Sequence, residues 1–121
     1  MAKTATDPGY AACPIRNIVD RFGDKWSLLV LYNLHTGGRL RFSEIHRRMT
    51  DISQKMLAST LRRLEQDGLL SRTVYPEVPP RVEYSLTELG YSLKPILDAM
   101  YSWGEAYQHD ASAQNNCDFC D

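Results

Sequence analysis

The sequence lacks the features that mark membrane-spanning, secreted and disulfide-stabilised proteins. It has no uninterrupted apolar run of about eighteen residues, so no transmembrane helix is predicted. Its start, MAKTATDPGYAAC, contains no apolar stretch of the kind that a secretory leader needs. It has three cysteines, an odd number, in a chain long enough to fold without disulfides. These absences predict a cytoplasmic protein with free thiols and no membrane partner.

The motifs of common enzyme classes are also missing. The chain contains no G-x-S-x-G, no P-loop and no H-E-x-x-H. Its histidines, His35, His46 and His109, are scattered, and no two share a helix at metal-ligand spacing. His46 lies in a basic region, where a phosphate contact or simple solvation is expected. We therefore expect no enzyme activity, no metal site and no cofactor.

Positive charge is concentrated in the middle of the chain. The 121 residues amount to one domain, of which 43% are hydrophobic and 24% charged, and the formal net charge is -1. Residues 39–63 nevertheless carry seven basic and two acidic side chains, whereas residues 87–121 carry one basic and six acidic side chains. Because screening confines electrostatic attraction to about 8 Å at physiological salt, a local basic surface is enough to attract a polyanion.

Two helices are predicted before this basic region. Pro14 is favoured in a first helical turn, and helical spacing of apolar residues follows until Gly23. Asp24 then serves as an N-cap for KWSLLVLYNLH, which is apolar nearly all round and ends at Gly37 and Gly38. A buried strand is the alternative for this segment, but its length favours a central helix.

The basic region predicts a helix-turn-helix. Ser43 is expected to cap the short helix SEIHRRM, and Ser53 to cap QKMLASTLRRLEQD, with Gly68 as the terminating residue. In this last helix the apolar side comprises Met56, Leu57, Leu61 and Leu64. The other sides carry Gln54, Lys55, Ala58, Ser59, Arg62 and Arg63. Small, hydrogen-bonding and cationic side chains suit a DNA major groove, although an ordinary solvated face is the alternative.

A β-hairpin follows the helix-turn-helix. The runs LLSRTVY and VEYSL have the alternation and composition of strands, and PEVPPR between them is a stiff loop. Arg81 is the cation expected to enter the minor groove. The predicted fold class is therefore mainly α with a small β-hairpin wing, a winged helix-turn-helix.

One long terminal helix is predicted over residues 88–108, capped by Thr87 and kinked by Pro95. Its apolar residues are spaced by fours and threes, as in a heptad seam. This stripe comprises Leu89, Leu93, Ile96, Met100, Trp103 and Tyr107. It predicts a homodimer through the terminal helices, with packing inside one chain as the alternative.

The cysteines give weaker predictions. Cys13 lies at a helix N-terminus, which favours the reactive thiolate, so it is a candidate sensor as well as a candidate packing residue. Cys117 and Cys120 form a C-x-x-C pair, which leaves open a tail without function, a redox pair or half a zinc site. We expect a flexible arm at residues 1–12, a domain at residues 13–108 and a flexible tail at residues 109–121.

Three segments together resemble one family. They are CPIRNIVDRFGDKWSLLVLYNL, RFSEIHRRMTDISQKMLASTLRRLEQDGLLSR and VYPEVPPRVEYSLTELG. They are similar to the HxlR-type bacterial winged-helix transcription regulators, relatives of the MarR group. The resemblance spans about residues 12–108, and the C-x-x-C tail lies outside it.

The resemblance implies a dimeric, promoter-binding regulator with terminal helices in the interface, where Ile15 and Ile18 join the apolar stripe. It also implies that oxidants or electrophiles modify a thiol in some members, which points to Cys13. The implied DNA contacts are Arg41, Ser53, Gln54, Lys55, Ser59, Arg62 and Arg81. We expect a pseudo-palindromic double-stranded operator. The alternatives are a winged-helix protein-interaction module and a regulator that responds to a small ligand without thiol sensing.

Overall fold

A computed structural model of the chain describes residues 12–113, with side chains described for residues 12–108. Most of the predicted arm, the His109 side chain, Cys117 and Cys120 lie outside these described residues. The elements in chain order are α1 (Pro14–Phe22), α2 (Ser27–Gly37), β1 (Leu40–Arg41), α3 (Phe42–Arg48), α4 (Gln54–Gln66), β2 (Leu70–Tyr75), β3 (Arg81–Leu86), α5 (Glu88–Tyr91) and α6 (Lys94–Ala113).

Helix α2 forms the centre of the hydrophobic core. Val30, Leu31 and Leu34 have no exposed surface, which agrees with the predicted helix and rules out the alternative of a buried strand. The carboxylate of Asp24 accepts hydrogen bonds from the backbone N–H groups of Trp26 at 3.0 Å and Ser27 at 2.9 Å. The prediction of Asp24 as the N-cap was wrong in position, because the N-cap is Trp26 and α2 begins at Ser27. The Asp24 carboxylate nevertheless satisfies two backbone donors at the helix start.

The sheet contains three antiparallel strands in the order β1-β3-β2. The long pair, β2 and β3, runs in register from Leu70 opposite Leu86 to Tyr75 opposite Arg81. The predicted hairpin is thus confirmed. Strand β1 was not predicted, because two residues are too short to display alternation. It places Leu40 opposite Tyr84, on the same sheet face as Leu70 and Leu86.

The predicted start of α3 was wrong. Ser43 lies inside the helix, and α3 begins at Phe42 after Arg41 as its N-cap. The backbone N–H of Arg41 donates to the carboxylate of Glu44 at 2.7 Å. The acidic residue three positions into the helix, and not the serine hydroxyl, therefore satisfies the first free donor.

The single terminal helix predicted for residues 88–108 is two helices. The Thr87 hydroxyl accepts a hydrogen bond from the N–H of Gly90 at 3.1 Å, as expected of a cap, but α5 ends at Tyr91. Pro95 lies in the first turn of α6, where an amide hydrogen would have no partner within the helix. A new helix therefore begins just before Pro95, and the proline does not kink a continuous helix. Helix α6 then continues to Ala113, beyond the predicted end at residue 108.

The described residues form a winged helix-turn-helix, and the predicted fold class is confirmed. Helices α3 and α4 make the helix-turn-helix, and β2 with β3 makes the wing. None of the helices within residues 12–113 is long and apolar enough to cross a membrane.

Candidate nucleic-acid interface

Helix α4, which we call the recognition helix, has well-defined ends. The hydroxyl of Ser53 accepts a hydrogen bond from the N–H of Met56 at 3.0 Å, which satisfies one of the free donors of the first turn. At the other end Gly68 takes a φ of 80°, a conformation that suits glycine after a helix. Both predicted caps are confirmed, so the helix presents a fixed set of side chains.

One face of the recognition helix is buried and the other is exposed. Leu57, Leu61 and Leu64 are at most 1% exposed, and Thr60 joins them in the interior. Met56 was predicted to lie on the buried side but is 44% exposed. The exposed residues of the helix are Gln54, Lys55, Met56, Ser59, Arg62, Arg63, Glu65 and Gln66. The first turn of the helix is therefore free to approach a groove.

The turn before the recognition helix is held by His46. Its Nε2 lies 2.9 Å from the carbonyl oxygen of Ile52, and it donates this hydrogen bond because a carbonyl oxygen only accepts. Ile52 itself is 2% exposed and anchors the turn in the core. The basic surroundings of His46 in the sequence predicted a phosphate contact or solvation. The structure instead gives this histidine a role in fixing the angle between α3 and α4.

Arg62 shares a cleft with Arg72. The cleft has a volume of about 330 Å³ and lies between the recognition helix and the sheet. Its lining residues are Phe42, Ala58, Arg62, Glu65, Arg72 and Tyr84. Arg72 was missed by the sequence analysis, although strand alternation from Leu70 places it on the sheet face that turns toward α4. Together, the two arginines supply positive charge beside the exposed helix face.

Arg63 is also exposed, at 44%, but contacts to the start of the core helix hold its side chain. Its guanidinium lies 3.1 Å from the carboxylate of Asp24 and also donates a hydrogen bond to the hydroxyl of Ser27. Its predicted place outside the apolar side of the helix agrees with the structure, but its partners Asp24 and Ser27 lie 39 and 36 positions earlier in the sequence. Arg63 therefore joins the recognition helix to the start of the core helix.

Asp24 is the acceptor at the centre of that junction. Burial pushes its pKa upward, but hydrogen bonds from the Ser27 hydroxyl, from the N–H groups of Trp26 and Ser27 and from Arg63 outweigh burial. The result is a pKa lowered from 3.8 to about 2. A second ion pair, between Arg21 and Asp67 at 2.7 Å, joins α1 to the end of the recognition helix.

Arg81 does not lie at the tip of the wing. It is the first residue of β3, where its guanidinium lies 4.1 Å from the centre of the Tyr75 ring. It also contacts the carboxylates of Glu77 at 3.3 Å and Glu83 at 3.4 Å. In the loop before it, Val78 is 99% exposed. The expected minor-groove cation is thus paired with two acids in the free protein.

Arg41 lies on the sheet face that also carries Glu83, since these residues are paired across β1 and β3. Its side chain is exposed. Of the DNA-contacting residues expected from the sequence, Arg41, Ser53, Gln54, Lys55, Ser59 and Arg62 are exposed, whereas Arg81 is half-buried.

Cys13 occupies the N-cap position of α1. Its carbonyl oxygen accepts a hydrogen bond from the N–H of Asn17 at 3.1 Å, and its half-buried side chain makes no capping bond. Arg16, one turn along, pairs with Asp20 at 3.4 Å. All nine residues of α1 are at least partly exposed, including Ile15 at 71% and Ile18 at 48%. The helix therefore presents apolar surface to solvent in the single chain.

Helix α6 also leaves apolar surface uncovered. Met100, Trp103 and Tyr107 are 48%, 70% and 44% exposed, and the rings of the last two stack at 5.3 Å. Leu93 packs against the core, and the buried Leu97 and the Tyr32–Tyr101 stack hold another face of α6 on α2. Most of the predicted heptad stripe is thus not packed inside the chain.

Comparison with known proteins agrees with this architecture. The family model described as "HxlR-like helix-turn-helix" matches residues 21–112. An uncharacterised HTH-type transcriptional regulator from Methanothermobacter thermautotrophicus is 57% identical over 116 residues, spanning 86% of this chain and 88% of that protein.

Two solved structures have the same fold. The redox regulator HypR in its oxidised form is 46% identical with a TM-score of 0.72, covering 78% of this chain and 96% of HypR. The reduced form of the transcriptional regulator YodB from Bacillus subtilis is 38% identical with a TM-score of 0.67. The match covers 77% of this chain and 91% of YodB. These relatives are regulators and not enzymes. The chain belongs to the HxlR-like helix-turn-helix family and is a transcriptional regulator.

Proposed function

We propose that the chain acts as a homodimer that binds a pseudo-palindromic operator through its two recognition helices. The observation that carries this proposal is the exposed first turn of α4, where Gln54 and Lys55 stand clear of the core behind a capped end. An amide at this position reads base edges, and an ammonium or guanidinium group meets phosphates. Twofold symmetry would set half-sites about 10 bp apart, centre to centre.

The test is DNA binding by single variants, measured by fluorescence anisotropy on the intergenic DNA upstream of the protein's own gene. Lys55→Ala and Arg62→Ala are expected to weaken binding to every duplex and to reduce its salt dependence, because each removes a phosphate contact. Gln54→Ala is expected to reduce discrimination between this DNA and an unrelated duplex by about 1–3 kcal/mol.

The matched control is Gln66→Ala, which removes an exposed amide from the far end of the same helix. It is expected to bind like wild type. Binding that is insensitive to salt in the wild-type protein, or equal loss in Gln54→Ala and Gln66→Ala, contradicts the proposal.

The homodimer is supported by the uncovered apolar surface of α1 and α6. Exposed apolar patches on a helix commonly mark an interaction surface. The proposed interface comprises Ile15, Ile18, Leu93, Met100, Trp103 and Tyr107, of which Leu93 packs partly against its own core. Two copies that join these helices would bury the stripes and set the distance between the recognition helices.

We further propose that Cys13 is a reactive thiol whose modification changes DNA affinity. Its support is the position of Cys13 at the N-cap of α1, a helix joined to the recognition helix by the Arg21–Asp67 ion pair. A displaced α1 would pull on this connection and shift the recognition helices. HypR, the redox regulator with the same fold, makes oxidants the first class of inducer to test.

The test compares operator binding before and after diamide or iodoacetamide treatment. Wild type and the Cys117→Ser/Cys120→Ser variant are expected to change affinity, and Cys13→Ser is not. A Cys13→Ser protein that responds like wild type assigns Cys13 to packing and favours a small ligand as the inducer. The alternative of a protein-interaction module predicts a neutral recognition helix, and the exposed Lys55 and Arg62 argue against it.

A further inference from the structure

The wing carries a charge network that balances to zero. Arg39 and Arg81 supply two positive charges, and Glu77 and Glu83 supply two negative charges. Glu83 is shared, since it contacts Arg81 at 3.4 Å and Arg39 at 3.8 Å. Seen from beyond a Debye length, such a network exerts little attraction on DNA. The positive charges of Arg81 and of Arg39, which precedes β1, are therefore masked in the free protein, whereas the exposed Arg72 on β2 lies outside this network.

The contacts within the network are loose. Charge-assisted bonds between nitrogen and carboxylate oxygen are typically about 2.7–2.9 Å long, whereas the three ion pairs measure 3.3, 3.4 and 3.8 Å. The enclosed Nε of Arg81 makes the 3.4 Å contact with Glu83, but this ion pair does not have the geometry of a hydrogen bond. The Tyr75 ring supports the guanidinium from one side, at 4.1 Å. Arg81 is thus held in place without its hydrogen-bonding capacity being used fully.

We propose that Glu77 and Glu83 restrain the wing arginines and so suppress binding to unrelated DNA. This inference rests on the proposed DNA-binding function. A phosphate offers an arginine the two parallel hydrogen bonds that its planar donors match. When the recognition helix is seated on its operator, a phosphate at the wing replaces Glu77 as the partner of Arg81. On an unrelated duplex, where the helix is not seated, the arginine stays with its carboxylates.

Glu77 is the better of the two acids to test, because it lies in the loop and its side chain is 50% exposed. Glu77→Gln removes the restraining charge with little change of shape. We expect it to bind an unrelated 30-bp duplex about two- to fivefold more tightly at about 0.1 M salt, the range that exposed ion pairs span. Affinity for the upstream DNA is expected to rise at least as much, because a phosphate in that complex no longer has to displace Glu77 from Arg81.

Glu105→Gln is the matched control. It makes the same change in net charge on an exposed position of α6, away from the wing. It is expected to leave affinity for the unrelated duplex unchanged. Equal gains in Glu77→Gln and Glu105→Gln overturn the inference, since the effect would then follow net charge alone.

A double-mutant cycle separates restraint from simple repulsion. In an Arg81→Gln background Glu77 has lost its ion-pair partner, so the gain in affinity for the unrelated duplex that Glu77→Gln causes is expected to disappear. If Glu77→Gln still raises affinity for the unrelated duplex in this background, Glu77 acts only by repelling phosphate. That result overturns the inference. If wild type binds neither duplex in a salt-dependent way, both the inference and the proposed function fail. If only the cycle fails, the proposed function stands.

Discussion

At the scale of single residues, the short side chain of Asp24 connects the core helix to the recognition helix. Its two carboxylate oxygens accept bonds from the backbone before α2 and from the buried Ser27 hydroxyl, and they also meet Arg63 of the recognition helix. One short side chain therefore starts the core helix and fixes the recognition helix against it. The lowered pKa of Asp24 reports the strength of these bonds.

The first prediction follows from this pKa. A carboxyl whose pKa falls from 3.8 to about 2 on folding stabilises the folded state fully above the unfolded value, and the contribution disappears as the pH drops toward 2. Asp24→Asn is expected to lower the free energy of unfolding by about 1 kcal/mol at pH 7, a value reduced for the partial exposure of the pair. The loss relative to wild type is expected to shrink between pH 4 and pH 2. Urea unfolding at several pH values measures it.

Asp20→Asn is the control for this change. Asp20 is a carboxylate on α1 that is 62% exposed and pairs with Arg16 one turn away. Its removal is expected to cost less than about 0.5 kcal/mol. A loss in Asp24→Asn that is the same at every pH contradicts the assignment of the effect to the charge.

At the scale of elements, the short helix α5 docks through backbone contact on the connection between the recognition helix and β2. A side chain added at Gly90 would overlap the carbonyl oxygen of Leu69. The N–H of Thr87 also donates to that oxygen at 3.1 Å, and the Thr87 hydroxyl donates to the carbonyl of Gly68 at 2.6 Å. The close approach joins the wing, α4 and α5, so that α6 leaves the domain in a fixed direction.

The second prediction concerns this contact. Gly90→Ala is expected to destabilise the protein by about 1–3 kcal/mol, the usual cost of forcing a methyl group into filled space. Ser92→Ala, an exposed change in the same segment, is the control and is expected to stay near wild type. Thermal unfolding followed by circular dichroism measures both. Equal midpoints for Gly90→Ala and Ser92→Ala would mean that α5 can move away freely.

The elements also explain which features could be predicted. Ser53, Gly68 and Thr87 act on residues within a few positions, so the sequence reveals their roles. The partners of Arg63 and Arg81 are set by how loops and strands meet, and residue type alone made both look like free cations. Strand β1 was missed because its two residues form only by pairing with β3. The exposed face of the recognition helix was predictable from helical spacing, except at Met56.

At the scale of the whole molecule, apolar surface is distributed unevenly. The winged core encloses its leucines, while α1 and α6 turn Ile15, Met100 and Trp103 toward solvent. In the single chain these apolar side chains are exposed to water on both terminal helices, which is unfavourable. A second copy would cover it on both helices at once.

The third prediction is that Trp103→Glu yields monomer or insoluble protein. Burying one large side chain contributes about 1.5–3 kcal/mol, and a carboxylate in its place carries a desolvation cost as well. Ser102→Glu introduces the same charge on an exposed position beside the stripe and is expected to keep the dimer. Sedimentation equilibrium distinguishes the two. If Trp103→Glu dimerises as well as Ser102→Glu, the interface does not include Trp103 and lies elsewhere.

The strand order β1-β3-β2 leaves β2 with one unpaired edge among the described residues. Such an edge exposes backbone donors and acceptors that a strand from another molecule can pair with, which is a route to aggregation. Here the charged and exposed Arg72 lies in the strand, and Pro76 follows it directly. Both features discourage edge-to-edge pairing. We therefore expect Arg72 to protect this edge against aggregation, since its replacement by valine would create a Val-Thr-Val-Tyr run of the kind that promotes cross-β assembly.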